Sequence, residues 1–316
     1  MNREQFPKPL PDAELLLEGF DNLMPFRVQE ILLVSSLYDS FILREDGRLN
    51  ELLVGESLDL HLQQIPRITH VASCSDALAL ARSDRRINLI VTNLAVGEMN
   101  AAQLAREIKQ AGLNVPVVVL AYDYREIKNF VARNPVTDIE RIFLWQGSAR
   151  VLIAIVKYVE DRRNVEHDTS TMGVPVVLLV EDNIRYYSAF LPVIYTELIT
   201  QTHRVIQEGL NLAHKLVRMR ARPKILLSSN FEEAYELALR YQDHLLGIVS
   251  DVEFPQGGVL SAEAGFELAR RVHTVVPDLP VVLHRAARDS GRGLMQKAFP
   301  SCASVHRLSC GICGAC

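Results

Sequence analysis

Short apolar runs recur along the chain at the spacing of an alternating strand–helix fold. Continuous apolar runs are typical of parallel strands buried on both faces. They are Ile31–Ser35, Arg67–Ala72, Leu89–Thr92, Val115–Leu120, Ile142–Trp145, Val176–Val180, Ile225–Ser228, Gly247–Ser250 and Val281–Leu283. Helical patterns lie between them, including Ser75–Ser83, Ala101–Gln110, Ala149–Asp161, Glu232–Arg240 and Ala262–His273. The series predicts an α/β protein with two doubly wound, five-stranded parallel sheets.

The series repeats, and this repetition predicts two tandem units with the flavodoxin-like strand order 2-1-3-4-5. The expected segments are a polar leader at 1–27, a first unit at 28–161, a charged linker at 162–174, a second unit at 175–300 and a cysteine-rich tail at 301–316. The second unit is expected to contain a long helical insertion at 184–219 and to have an incomplete C-terminus.

Composition narrows the class of protein. The net charge of −4 over 316 residues argues against a general nucleic-acid binder. The chain lacks the run of ~20 apolar residues that a membrane span needs, and its N-terminus lacks the apolar core of a signal peptide. We therefore expect a cytoplasmic protein. Only Cys74 lies outside the last fifteen residues, which argues against a disulfide framework.

Carboxylates follow two apolar runs of the second unit. Glu181 and Asp182 come directly after Val176–Val180, and Asp251 comes directly after Gly247–Ser250. The carboxyl ends of parallel strands meet at one edge of a sheet, where ligands bind. Carboxylate oxygens suit a hard divalent cation such as Mg²⁺. The sequence therefore predicts a magnesium site at this edge.

This arrangement, with Pro255 four residues after Asp251, resembles the receiver domain of two-component signalling. The resemblance implies that Asp251 accepts a phosphoryl group from a histidine kinase or phosphotransfer protein. It also implies that Glu181, Asp182, Asp251 and the backbone carbonyl of Glu253 hold Mg²⁺.

Two receiver features are missing from the second unit. A receiver has Ser or Thr five residues after the proline of its fourth strand, where this chain has Arg285. A guanidinium can contact phosphate, so Arg285 is a candidate phosphate contact. The lysine that follows a receiver's fifth strand is not visible.

The first unit has lost these groups. Its degenerate counterparts are Ser35 and Ser36 for the acidic pair, Asn93 for the acceptor, Ala121 for the hydroxyl residue and Trp145 for the lysine. An amide cannot form an acyl phosphate, and two serines cannot replace two carboxylates on Mg²⁺. The first unit is interpreted as a pseudo-receiver used for docking. A plain structural α/β domain predicts the same residues.

The insertion at 184–219 has apolar residues at three- and four-residue spacing. Such a pattern suits either a long helix packed on its own domain or a protruding arm that forms a homodimer.

The tail also allows two interpretations. Cys302, Cys310, Cys313 and Cys316 could bind zinc or an iron–sulfur cluster. Nothing after Ala298 has the pattern of a fifth strand and last helix. A shift of reading frame, beginning anywhere from about His284 onward, explains that absence and is favoured over a metal site.

Three stretches go beyond a generic receiver, namely Phe20–Arg27, Leu33–Phe41 and Val165–Asp168. With the duplicated layout, they resemble the N-terminal regulatory region of proteins related to phosphoenolpyruvate synthase and pyruvate phosphate dikinase. The enzyme domains of that family are absent, so no catalytic activity of that family is expected. The chain is expected to be a phosphorelay module acting through Asp251. The alternative is a non-catalytic scaffold, a truncated regulatory fragment of such a protein.

Overall fold

A computed structural model describes residues 22–36, 66–207 and 222–285, with the backbone alone for 203–207. In chain order the first half contains β1 (Glu30–Val34), β2 (Arg67–Val71), α1 (Cys74–Ser83), β3 (Ile87–Thr92), β4 (Ala95–Val96), β5 (Met99–Asn100), α2 (Ala101–Gln110), β6 (Val117–Ala121), α3 (Tyr124–Arg133), β7 (Arg141–Leu144) and α4 (Arg150–Met172). The second half contains β8 (Val176–Val180), α5 (Ile184–Gln207), β9 (Lys224–Ser228), α6 (Phe231–Arg240), β10 (Leu245–Asp251), β11 (Phe254–Gln256), β12 (Val259–Ser261), α7 (Ala264–His273) and β13 (Val281–His284).

Each half of the chain forms one parallel sheet. The first sheet has the order β2-β1-β3-β6-β7, which is the predicted 2-1-3-4-5 order of five long strands. The second has the order β13-β10-β8-β9. Read from β9 to β13, this is the order 2-1-3-4 of the four long strands within the described ranges. All neighbouring pairs in both sheets are parallel. The prediction of an α/β fold with parallel sheets is confirmed.

A short antiparallel hairpin follows the central strand of each sheet. In the first half β4 pairs with β5, and in the second half β11 pairs with β12. The second hairpin turns at Gly257 and Gly258, whose φ angles are 60° and 77°. Side chains other than Gly are strained there. The matching hairpins show that the two halves share more than the order of their strands.

The strands alternate their side chains between two cores, as the pleat of a strand requires. On β1, Leu32 and Val34 face a core under α1, α2 and α3. Ile31 and Leu33 face the opposite way, into a second core that contains α4 and α5. This second core also contains Leu179 and other residues of the second sheet. The two sheets therefore share one apolar core along α4 and α5.

The charged segment at 162–174, interpreted from the sequence as a linker, lies mostly in the second half of α4. The helix runs for 23 residues and ends at Gly173, which has a left-handed φ of 62°. Asp161 and Asp168 are fully buried on it. The charges of Asp161 and Asp168 are paired with Arg222 and Lys224 inside the protein.

Polar side chains of α4 hold the segment 24–28 by its backbone. They are spaced four residues apart, so they lie on one face of the helix. In order, Glu160 accepts from the Val28 N–H (3.1 Å), Asn164 from the Phe26 N–H (2.8 Å) and Asp168 from the Met24 N–H (2.9 Å). The entry into β1 is thereby fixed by side chains about 130–145 residues away along the chain.

Replacing Asn164 with alanine is expected to loosen this segment. The Asn164 amide also donates to the Phe26 carbonyl (2.7 Å), so the change leaves both backbone groups of Phe26 without this partner. An unmade buried hydrogen bond costs about 1–3 kcal/mol. Native-state hydrogen exchange should show faster exchange of the Phe26 amide. The control is Asn114→Ala at an exposed amide that accepts from Arg163. Equal exchange at Phe26 in both variants would contradict the assigned role.

Helix α5 covers the open edge of β7. The Leu144 N–H donates to Ser188 Oγ (3.0 Å), and the Tyr187 hydroxyl donates to the Ile142 carbonyl. The helix has a buried stripe at four-residue spacing, which is Tyr187, Leu191, Tyr195 and Ile199. Since this stripe packs within the chain, a homodimer through 184–219 would have to use another face. Residues 208–219 of the expected insertion lie outside the described ranges.

None of the helices in the described ranges combines the length and the apolarity that a membrane crossing needs.

Candidate functional site

Three carboxylates meet at the carboxyl edge of the second sheet. Glu181 and Asp182 follow β8, and Asp251 is the last residue of β10. These two strands are hydrogen-bonded neighbours. Each carboxylate offers an oxygen, and the three oxygens lie within 4.8 Å of one another. The arrangement follows from two parallel apolar strands that end level with each other, with acidic residues at their ends.

Glu181 is fully buried and carries the strongest electrostatic perturbation at this edge. Its backbone N–H donates to the Ser228 carbonyl (2.9 Å), and its Oε1 accepts from the Asn183 N–H (3.0 Å). Its Oε2 is buried without a hydrogen-bond partner among the described residues. Burial raises the pKa of Glu181 to about 8, and the charges of Asp251 and Asp182 add to this effect, against the Asn183 hydrogen bond.

Asp251 is held by its surroundings in one orientation. Its Oδ1 accepts from the Val252 N–H (2.7 Å), and the Val252 carbonyl accepts from the Gly265 N–H (3.0 Å). The first turn of α7 lies against this backbone. A Cβ at Gly265 would lie 2.4 Å from the Asp251 carbonyl oxygen. Glycine is therefore required at this close approach.

A histidine that the sequence analysis missed completes this edge. His284 ends β13 and pairs in register with Asp251. Its Nε2 lies 3.5 Å from Glu181 Oε2. Burial lowers the pKa of His284, although the charge of Asp251 opposes this. Strand pairing is the signal that could have located His284, because residues paired across parallel strands project to the same face.

The other predicted residues of this unit lie around the edge. Glu253 is half-buried between β10 and β11, and Pro255 lies within β11. Arg285 is exposed and directly follows β13. The structure thus gathers the side chains of Glu181, Asp182 and Asp251 and adds His284, while Arg285 faces solvent.

The corresponding edge of the first sheet has a different character. Ser35 is buried after β1, and its hydroxyl lies 3.0 Å from His70 Nε2. Ser36 is half-buried, and Asn93 is buried after β3. Both polar atoms of the Asn93 side chain lack a hydrogen-bond partner among the residues that the structure describes. Among the described residues, no acidic cluster forms at this edge.

Two further counterparts are apolar. Ala121 is buried at the end of β6, and Trp145 is half-buried after β7, where it packs against the shared core. One detail is common to both edges. Thr92 Oγ1 donates to the Asn93 carbonyl (3.2 Å), as Ser250 Oγ donates to the Asp251 carbonyl (2.7 Å). The backbone is therefore held alike at both acceptor positions, and the difference lies in the side chains.

Of the cysteines, Cys74 lies within the described residues. Cys74 is a buried free thiol whose Sγ donates to the Val96 carbonyl (3.5 Å). The tail cysteines lie outside the described residues.

Comparisons with known proteins give structural neighbours only. No protein-family model and no curated protein matches the sequence. Similar solved structures include the signal receiver domain of an HD domain-containing protein from Pseudomonas fluorescens Pf-5 (21% identity, 46% of this chain, 92% of that chain, TM-score 0.32). Another is a response regulator receiver protein from Sinorhizobium medicae WSM419 (21% identity, 43% of this chain, 97% of that chain, TM-score 0.30).

A third neighbour is a two-component system response regulator/GGDEF domain protein (14% identity, 90% of this chain, 96% of that chain, TM-score 0.30). None of these three neighbours is a phosphoenolpyruvate synthase or pyruvate phosphate dikinase, so that resemblance stays a prediction. The order of the strands, rather than these overlaps, defines the fold.

Proposed function

We propose that the second unit is a Mg²⁺-dependent phosphoryl acceptor in a phosphorelay, and that Asp251 is the residue modified. One observation carries this proposal, which is the convergence of three carboxylate oxygens within 4.8 Å at the end of a parallel sheet. A structural role for three carboxylates in one place is costly, because like charges repel and buried charges lose hydration.

The residues present fit a divalent cation. Glu181 Oε2 is buried and lacks a hydrogen-bond partner within the described ranges, and the charges of Asp251 and Asp182 add to burial in raising the Glu181 pKa. A cation would satisfy this oxygen and offset the repulsion. Glu181, Asp182 and Asp251 would hold it, with the Glu253 carbonyl as a further ligand by resemblance to receivers. Mg²⁺ bound there would offset the repulsion between the negative phosphoryl group and the carboxylates.

Asp251 would act as the nucleophile. The Val252 N–H binds Oδ1 and fixes the carboxylate, which leaves Oδ2 to attack phosphorus. In transfer from a phosphohistidine of a histidine kinase or phosphotransfer protein, the P–O bond to Asp251 forms as the P–N bond breaks. The electron pair of that bond leaves with the imidazole nitrogen. Arg285, exposed beside the edge, is a candidate contact for the incoming phosphoryl oxygens.

Helix α5 offers a physical route from the site to the first unit. The helix begins at Ile184, two residues after Asp182. One turn later, Ser188 is hydrogen-bonded to the edge strand of the first sheet. We infer that the first unit is a pseudo-receiver that responds to α5 rather than accepting phosphate itself. In this chain the coupling would act through a packed helix, since the usual switch hydroxyl is replaced by Arg285.

Treatment of the purified full chain with acetyl phosphate and Mg²⁺ tests the proposal. Intact-mass spectrometry should show one added phosphoryl group, which hydroxylamine removes as expected for an acyl phosphate. Asp251→Asn should abolish the addition, because an amide cannot form this bond. The matched control is Asp243→Asn, which changes an exposed aspartate of the same unit.

Two results would count against this function. The first is wild-type protein that takes up neither a phosphoryl group nor beryllofluoride in the presence of Mg²⁺. The second is labelling that persists in Asp251→Asn. Either result would favour the alternative of a non-catalytic scaffold.

A further inference from the structure

We propose that His284 is a nitrogen ligand at the acidic site and that the site therefore prefers a first-row transition-metal dication to Mg²⁺. This inference rests on the cation site of the proposed function and changes the metal that this site prefers. The receiver resemblance supplies only oxygen ligands, so the histidine is a separate feature of this chain.

The pairing of β10 with β13 places the His284 imidazole beside the carboxylates. His284 pairs with Asp251 across β10 and β13, and its carbonyl accepts from the Val252 N–H (3.0 Å). Because the strands are parallel and in register, the two side chains project from the same face. The position of the imidazole is thus fixed by the same backbone that fixes the acceptor.

A stacked pair of aromatic residues on α5 packs next to the His284 imidazole. Phe190 meets His284 edge to face, with ring centroids 5.3 Å apart and planes at 88°. Tyr186 stacks on Phe190 at 6.0 Å. Packing of this kind restricts the ring to one orientation, as a metal site requires of its ligands.

The pair formed by His284 and Glu181 has a geometry that suits a shared metal. His284 Nε2 and Glu181 Oε2 are 3.5 Å apart, and both atoms are buried without a hydrogen-bond partner among the described residues. A good hydrogen bond between them would be shorter, about 2.7–3.2 Å. Two ligand atoms bonded to one metal at about 2.1 Å lie about 3.0 Å apart at right angles in an octahedral site and about 3.4 Å apart in a tetrahedral one. The observed 3.5 Å is longer than a good hydrogen bond and close to the spacing of two ligands that share a metal.

The ligand set then decides between metals. Carboxylates and water alone suit Mg²⁺, which binds imidazole poorly, whereas transition metals accept a mixture of nitrogen and oxygen ligands. Glu181 adds an independent reason for a cation, since it is fully buried and its Oε2 has no hydrogen-bond partner in the part of the chain that the structure describes. A nitrogen donor beside three carboxylates therefore shifts the preference from Mg²⁺ towards a transition metal.

Mn²⁺ is the probe for the test, because the thiolates of the tail cysteines compete poorly for this metal. Pulsed electron paramagnetic resonance of Mn²⁺ bound to the full chain should show coupling to one imidazole nitrogen. His284→Val should remove the coupling and weaken Mn²⁺ binding by about tenfold or more, while Mg²⁺ binding changes much less. His70→Val, a strand histidine of the first sheet, is the matched control and should keep the coupling.

The outcomes separate the two proposals. Mn²⁺ that binds in an Asp251-dependent manner without nitrogen coupling would overturn the role of His284 and leave the cation site intact. In that case His284 is only a neighbour of Glu181. Absence of Asp251-dependent binding for both Mn²⁺ and Mg²⁺ would overturn the cation site itself. The wild-type spectrum answers the question without a variant, so a poorly folded His284→Val protein would not prevent a decision.

Discussion

Replacing Asp161 with alanine is expected to lower the free energy of unfolding by about 3–5 kcal/mol, the cost of leaving a buried charge without its partner. Asp161 is fully buried on α4 and accepts four hydrogen bonds. Two come from Arg222 (2.7 and 3.0 Å), one from the Tyr195 hydroxyl (3.1 Å) and one from the Ile225 N–H (3.0 Å). Its loss would leave the Arg222 guanidinium buried and unbalanced.

The expected loss of stability is large because Asp161 and Arg222 are buried away from water. Burial works against the charge of Arg222, but Asp161 outweighs burial and raises the pKa of that guanidinium. Lys224 is also fully buried and lies 2.7 Å from Asp168 Oδ2. Burial lowers the pKa of Lys224, while Asp161 and Asp168 oppose that shift. Two cations and two carboxylates therefore balance one another where the end of α4 meets β9.

Urea unfolding followed by circular dichroism measures this change. The matched control is Asp138→Ala, which breaks an ion pair with the exposed Lys109 (2.7 Å) and should cost less than about 1 kcal/mol. If Asp161→Ala unfolds at the same urea concentration as Asp138→Ala, the buried network does not stabilise the junction between the two sheets.

The same network explains which parts of the fold the sequence could predict. Val176–Val180 and Ala101–Gln110 were predicted with the bounds that the structure has, because continuous apolar runs and helical periodicity are local properties. The second half of α4 was taken for a linker, because it is rich in charged residues and lies between the two units. Whether a charge is exposed depends on its partner, and the partner of Asp161 is Arg222, 61 residues further along the chain.

One part of the candidate site could likewise be predicted from the sequence, and another part could not. The convergence of Glu181, Asp182 and Asp251 follows from local patterns and from the rule that parallel strands end at one edge. His284 required the register between β10 and β13, whereas the proline spacing pointed only to Arg285. The close approach of Gly265 could not be found from the sequence, because it depends on how α7 packs against the end of β10.

Replacing Gly265 with alanine is expected to disrupt the acidic site without changing any of its side chains. A Cβ at this position would lie 2.4 Å from the Asp251 carbonyl oxygen and 2.9 Å from the Val252 Cα. Both neighbours are backbone atoms, so the first turn of α7 must move away or the end of β10 must shift. Overpacking of this kind costs about 1–3 kcal/mol.

The shift should weaken cation binding more than it weakens folding. The Gly265 N–H donates to the Val252 carbonyl (3.0 Å), and the Val252 N–H orients Asp251 Oδ1. A backbone displacement at Val252 therefore turns the carboxylate away from Glu181 and Asp182. We expect the Kd for Mn²⁺ to rise by about tenfold or more, as it does when the groups that orient metal ligands are lost.

Gly247→Ala is the control for this change. Gly247 lies in β10 as well, but the nearest atom to its Cβ would be the Pro280 carbonyl oxygen at 3.1 Å, a contact that a small adjustment can relieve. Titration with Mn²⁺ and urea unfolding of both variants separate binding from stability. Wild-type Mn²⁺ affinity in Gly265→Ala would show that α7 does not position Asp251. Weakened affinity in Gly265→Ala alone would show that the packing of α7 sets the geometry of Asp251.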